Sequence, residues 1–218
     1  MKILCVSDQI DPLVYSNSIK DRFGDVDLVL CAGDLPLDYL DFIVSSINKP
    51  LYFVFGNHDL KGYAGYKRNG PFQPAAREFK GIGAAHIGSR ICREGGLIIA
   101  GLGGSMLYNN GANQYTNGSM YREILKLLPA MLFNRIFRGR FVDILLTHAA
   151  PLGIHDKNDR CHRGFEAFLR FMRLFKPKYL IHGHIHLYDR SAGRATQYQQ
   201  TLVLNAYSHY VLDCEALP

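Results

Sequence analysis

The stretch Leu51-Tyr52-Phe53-Val54-Phe55-Gly56-Asn57-His58-Asp59 starts apolar and aromatic and ends in glycine, a carboxamide, an imidazole and a carboxylate. A short continuous apolar run bounded by glycine reads as a strand covered on both faces, because neither face alternates to polar residues. The same construction recurs along the chain. Residues 2–7 are followed by Asp8, 27–32 by Gly33-Asp34, 142–147 by His148, and 178–181 by His182-Gly183-His184-Ile185-His186. Residues 96–102 and 201–205 are further runs of this kind. Between the strands lie stretches with helical apolar spacing, at 38–47, 120–137 and 164–175. Pro129 is expected to break or kink the second of these, because proline brings no N–H to the helix. Alternating strands and helices predict a layered α/β architecture, read as a single domain over residues 1–218.

The polar residues at the strand ends carry the chemistry. In open α/β sheets, ligands collect at the carboxyl ends of strands, where several loops converge. Five tips delivering Asp8, Asp34, Asn57-His58, His148 and His184-x-His186 could build one cage of oxygen and nitrogen donors. Such a mixed set suits Mn²⁺, Fe or Zn²⁺ better than Ca²⁺ or a structural zinc, which would favour cysteine. Singly, each element has a plainer reading: an Asp after a strand caps a helix or forms a turn, and a lone His is usually structural. The five in this order, each at a strand end, exceed coincidence.

These blocks resemble the calcineurin-like metallophosphoesterases: Asp8, Gly33-Asp34, Gly56-Asn57-His58-Asp59, His148 and Gly183-His184-Ile185-His186. The resemblance runs from residue 8 to 186. It implies a four-layer sandwich of two mixed β-sheets flanked by helices, with a dinuclear metal site at the strand C-terminal ends. It also implies that Asp34 bridges two divalent ions, that Asp8 and His186 belong to the first, and that Asn57, His148 and His184 belong to the second. His58 would then be the catalytic residue, an acid toward the leaving group. Two metals can clamp a phosphoryl group and lower the pKa of a water, and an imidazole titrates near operating pH. Asp59 could orient His58 or cap a loop.

One position departs from the pattern. Where the family reads Asp-x-His, this chain reads Asp8-Gln9-Ile10, and isoleucine cannot ligate a metal. The first site could be completed by water, Asp11 or Gln9 could substitute, or only the second site could fill.

Composition bounds the rest. The chain has 218 residues, 48% hydrophobic and 20% charged, with a net charge of +6, which describes an ordinary globular protein. Residues 1–59 hold 4 basic and 9 acidic side chains, so the remainder is strongly basic and suits an anionic, phosphate-containing small molecule as substrate. The five cysteines are scattered with no C-x-x-C pair, which fits a reducing, cytoplasmic setting. No run approaches the roughly 20 apolar residues of a membrane span. The basic balance permits nucleic acid, but no recognised binding module accompanies it. Asn117-Gly118-Ser119 matches a glycosylation sequon, read as an accident of composition.

Four secondary features are ambiguous. Residues 60–80 read as a basic loop. His155, Asp156, Asp159, Arg160, Cys161 and His162 crowd one loop that could rim the pocket, with Arg160 or Arg163 contacting phosphate; its spacing matches no zinc signature. Tyr108, Asn109, Asn110, Asn113, Gln114 and Tyr115 could form a polar loop facing substrate. Residues 120–140 combine basic and large apolar side chains, which could contact a membrane surface or a lipid-linked substrate; a core helix with a basic solvent face explains them as well. The functional expectation is a metal-dependent phosphoesterase acting on a phosphodiester or pyrophosphate-linked small molecule through a metal-activated water. The alternatives are a lipid-linked nucleotide-sugar pyrophosphohydrolase and a non-catalytic binding scaffold of the same fold.

Overall fold

A computed structural model describes residues 1–58, 83–187 and 193–214. Asp59 and the basic stretch 60–80 lie outside the described residues.

In chain order the elements are β1 (Lys2–Ser7), α1 (Ile19–Phe23), β2 (Leu28–Cys31), α2 (Leu37–Ile47), β3 (Leu51–Phe53), β4 (Ala84–His86), β5 (Arg90–Glu94) and β6 (Leu97–Leu102). Next come β7 (Ser105–Met106), β8 (Gln114–Tyr115), α3 (Asn117–Arg138), β9 (Ile144–Thr147), α4 (Glu166–Phe175), β10 (Tyr179–His182), β11 (Ala195–Tyr198), β12 (Thr201–Asn205) and β13 (Ser208–Asp213). One large sheet has the order β13-β1-β2-β3-β4 and the other β11-β12-β10-β9-β6-β5, while β7 and β8 form a small pair. Both large sheets are mixed: β1, β2, β3 and β4 are parallel, as are β6, β9, β10 and β12, and antiparallel strands close β1, β6 and β12 at the sides.

The two-residue period of a strand sorts its side chains into layers. Ile3 and Cys5, Leu28 and Leu30, Ile144 and Leu146, and Ile181 and Leu204 meet between the two sheets. Their neighbours Leu4, Val6, Val29 and Cys31 turn outward onto Tyr39, Leu40 and Ile43 of α2. On the other side Ile98, Ala100, Leu145, Leu180 and Val203 meet Ile124, Leu127 and Met131 of α3 and Phe168 and Phe171 of α4. The result is a four-layer α/β/β/α sandwich. Each fully buried Leu, Ile or Phe contributes roughly 1.5–3 kcal/mol of transfer free energy. All five cysteines are free thiols, Cys5 and Cys31 among them buried as small hydrophobes.

Pro129 does not break its helix: α3 runs continuously from Asn117 to Arg138. Proline deprives the carbonyl of Leu125 of a donor, but Leu125 is 58% exposed, so water can take that place. The sequon has a structural role. Thr116 and Ser119 form a reciprocal capping box at the start of α3, and the Asn117 side chain accepts from the Ala167 N–H. Among the described residues no helix is long and apolar enough to cross a membrane.

Candidate metal centre

β1, β2, β9 and β10 end on the same side of the sandwich, and β3 reaches it through the turn at Val54–Asn57. The expected donors come together there. His148 Nε2 lies 3.1 Å from Asn57 Oδ1, 3.1 Å from His184 Nδ1 and 3.3 Å from Asp34 Oδ2. Asp34, His148 and His184 offer ligand atoms that all lie within 4.8 Å of one another. Asp8 and His186 form a second, more open pair, with His186 Nε2 3.8 Å from Asp8 Oδ1 and its ring stacked on Tyr207 at 5.0 Å. His58 is exposed at the rim, and its backbone N–H donates to Asp34 Oδ1 at 2.9 Å.

Neighbouring carbonyls fix the tautomers of the buried imidazoles. Nδ1 of His148 donates to the Ala32 carbonyl at 2.8 Å, which leaves the Nε2 lone pair facing the cluster. Nε2 of His184 donates to the Cys161 carbonyl at 2.7 Å, which turns its Nδ1 lone pair inward. The Asn57 amide is oriented in the same way, because its Nδ2 donates to the Tyr108 hydroxyl at 3.3 Å and Oδ1 turns inward. With both rings neutral, two imidazole lone pairs, a carboxamide oxygen and a carboxylate oxygen therefore converge with no N–H or O–H among them. That arrangement calls for a cation. Asp8 adds a second sign: Oδ2 accepts from Ser7 Oγ and the His184 N–H, whereas Oδ1 is buried without a hydrogen-bond partner. The residues present fit a divalent ion on the Asn57 side, and Asp8 and His186 hold donor atoms for a further one.

Backbone geometry marks the same place. Asp8, Asp34 and His184 all occupy the left-handed region, at φ of 62°, 56° and 65°. Non-glycine residues adopt it rarely and at a cost, and such strain clusters at functional sites. Two glycines let the tips approach. A Cβ on Gly56 would overlap the Asp34 carboxylate, and one on Gly183 would overlap the Ser7 hydroxyl beside Asp8.

Electrostatics reflect this packing. Burial by itself lowers the proton affinity of the His148 ring, but the facing Asp34 carboxylate more than offsets it and pushes the pKa up to about 9. Burial works to raise Asp34, yet the His148 ring and the His58 N–H hold it well below the usual carboxylate range. His184 is lowered to about 4, first by burial and then by the proximity of His148. Without an ion the cluster therefore holds a proton on His148 as its cation. The His148 contribution to stability is complete below about pH 6.5 and is lost as pH rises to about 9. The Asp34 contribution is present above about pH 3.8 and is lost as acid protonates the carboxylate. His184, lowered to about 4, must stay neutral in the fold and costs stability as pH falls below about 6.5, so metal-free protein is expected to melt highest near pH 6.5, with added Mn²⁺ raising Tm most above it. Melting curves across pH in chelator and in Mn²⁺ check this. A metal-free Tm that holds level up to pH 9 would contradict the pairing.

Several residues take parts that the sequence did not assign. Asp11 is not directed at the cluster as a substitute ligand: Oδ1 accepts from the Leu13 N–H, and Oδ2 from Ser208 Oγ and His209 Nδ1. Ile10 is 41% exposed. The loop with Tyr108 and Asn113 props the β3 turn, since Asn113 Nδ2 donates to the carbonyls of Phe55 and Gly56. Asp159, Cys161 and His162 form a local, half-exposed group beside His184, whose ring centroid is 5.2 Å from that of His162. Its backbone oxygen at Cys161 positions a donor, a role no side-chain motif could announce.

The layered fold and the mixed carboxylate, carboxamide and imidazole donors define a four-layer α/β sandwich with a candidate divalent-metal site at its strand ends. A family model described as calcineurin-like phosphoesterase matches residues 1–188, and the chain belongs to that family. Among solved structures it is similar to TT1561 of Thermus thermophilus, with a TM-score of 0.63 and 13% identity over 94% of this chain and 88% of that one. It is also similar to GAP50, described as the anchor in the inner membrane complex of Plasmodium, with a TM-score of 0.52 and 12% identity over 94% of this chain and 70% of that one. At these identities the likeness concerns the fold. No curated protein sequence matches the chain.

Proposed function

We infer that the protein is a metal-dependent phosphoesterase that hydrolyses a phosphodiester or pyrophosphate-linked small molecule. The observation that carries this reading is the convergence of Asp34, Asn57, His148 and His184 donor atoms on one point, where without an ion only a proton on His148 supplies positive charge. Asp34, Asn57, His148 and His184 would hold one ion, and Asp8 and His186 would contribute to a second. Ions held there supply Lewis acidity toward phosphoryl oxygens and acidify a water. The protein's own groups do the rest. The His148–Ala32 and His184–Cys161 hydrogen bonds keep the donors in register, and His58, exposed at the rim, would give a proton to a departing alkoxide.

A cavity of about 750 Å³ opens beside Asp8 and His186, lined by Gln9, Leu13, Arg194, Tyr207 and His209. A volume of that size holds a small-molecule substituent. It gives a second ester arm a place, which favours a diester or pyrophosphate over a simple monoester. The rival reading, a binding scaffold without turnover, draws on Ile10 in place of the family's histidine.

The test is hydrolysis of bis(p-nitrophenyl) phosphate beside p-nitrophenyl phosphate after loading with Mn²⁺, Fe²⁺ or Zn²⁺. Asn57→Ala and His58→Ala are run in parallel. Diester-selective turnover that falls at least about a hundredfold in both variants is expected. Turnover absent with every metal, or equal in parent and variants, would replace the enzyme by the scaffold.

A further inference from the structure

Helix α3 carries two apolar stripes where a core helix needs one. Met120, Ile124, Leu127 and Met131 recur at helical spacing and are buried against the second sheet. Leu125, Leu132, Phe133, Ile136 and Phe137 recur at the same spacing on the opposite side, and they are 58%, 53%, 52%, 75% and 68% exposed. Phe133 and Phe137 stack on each other at 4.4 Å without cover from any described element. Leu174, at the end of α4, is 61% exposed and lines one cleft with Arg135, Gly139 and Lys176. Contiguous exposed side chains of this size mark an interaction surface rather than ordinary surface composition.

The charges around this ridge are predominantly positive. Residues 124–142 contain Lys126, Arg135, Arg138 and Arg140 and no acid, and Arg173 and Lys176 add two exposed cations beside Leu174. Arg140 is neutralised by Asp143 and Lys126 by Glu123, each at 2.7 Å, which leaves Arg135, Arg138, Arg173 and Lys176 as the ridge's cations. A second copy of the chain docking on this ridge would set its cations against their own equivalents. The exposed face is also the convex side of a helix, which offers no groove to a peptide. Convex apolar side chains flanked by arginine and lysine suit a planar anionic surface, with the apolar tips below the headgroups and the cations among the phosphates.

We propose that the C-terminal half of α3, with the end of α4, docks the protein on an anionic membrane surface. The ridge does not feed the donor cluster. Arg140 donates to the Gly96 carbonyl at the entry of β6, whereas the donors stand at strand exits, and the six residues of β6 put roughly 20 Å between the two ends. Docking therefore leaves the cluster facing the aqueous side, which suits a soluble substrate and removes the reason to invoke a lipid-linked one.

Vesicle co-sedimentation of the full chain tests this, with phosphatidylcholine alone and with phosphatidylcholine containing about one-third phosphatidylglycerol. Binding to the anionic vesicles is expected to exceed binding to the neutral ones by at least about tenfold and to weaken with salt. Ile136→Ser with Phe137→Ser is expected to reduce it at least about tenfold, and Arg138→Gln with Arg173→Gln to remove most of its salt dependence. These positions are exposed, so circular dichroism and Mn²⁺ binding should match the parent. No binding to anionic vesicles, or binding unchanged in both double variants, would overturn the proposal. So would a parent dimer that the Ile136/Phe137 variant converts to monomer, because the ridge would then be a self-association surface.

Discussion

His148→Ala is expected to lower the affinity for Mn²⁺ by more than about a hundredfold and to take hydrolysis of a diester to background. Residues that merely orient metal ligands cost about 10–100-fold when replaced, and His148 stands among the donor atoms themselves. Its Nε2 is the atom from which Asn57 Oδ1, His184 Nδ1 and Asp34 Oδ2 are all within 3.3 Å. The variant should also be less stable without metal. Asp34 would keep its charge in a buried place with its cationic partner gone, a loss of about 3–5 kcal/mol by analogy with broken buried pairs. Isothermal titration with Mn²⁺ and urea unfolding in chelator measure the two effects separately. A variant that binds Mn²⁺ as tightly as the parent would place the ion elsewhere.

Gly56→Ala is expected to be nearly as damaging, although alanine brings no new chemistry. The added methyl would occupy the space of the Asp34 carboxylate and come within 2.7 Å of His148 Cε1. Gly56 is not among the glycines with positive φ, so the backbone tolerates alanine and the cost is steric. Relief requires Asp34 or the turn to move. Metal affinity should fall at least about tenfold, and stability by about 1–3 kcal/mol, the range for overpacking a filled site. Gly118→Ala is the control: its nearest non-local atom is Thr116 Oγ1 at 3.8 Å, and in the first turn of α3 alanine should be neutral or slightly stabilising. Equal metal affinity in parent and Gly56→Ala would show that Asp34 is not held where the ion binds.

The central strands were legible because they are buried on both faces and need continuous apolar runs. In the two large sheets the strands the sequence concealed are β4, β5, β11 and β13, their four edges. Edge strands pair on one side only. Arg90 and Glu94 in β5, Thr196 and Gln197 in β11 and His209 in β13 lie at least partly in solvent, so no apolar run announces them. The site was legible in the same proportion. Asp8, Asp34, Asn57, His148, His184 and His186 stand at strand tips with donor chemistry in their side chains. Their supports were not, because the carbonyls of Ala32 and Cys161 belong to every residue type, and Tyr108 reads as any loop tyrosine.

By itself, the sequence determined the layered α/β class and named the candidate donors at the strand ends. These rest on local patterns: apolar runs, helical spacing and polar residues next to glycine. Tertiary structure alone decided that the donor atoms converge, that Asp11 is spent on Ser208 and His209 rather than on the cluster, and that the second apolar stripe of α3 is left uncovered. Each depends on which distant segments the two sheets bring within about 3 Å, or leave uncovered. Local periodicity carries no record of that, since the partners of Asp11 lie nearly the whole chain away.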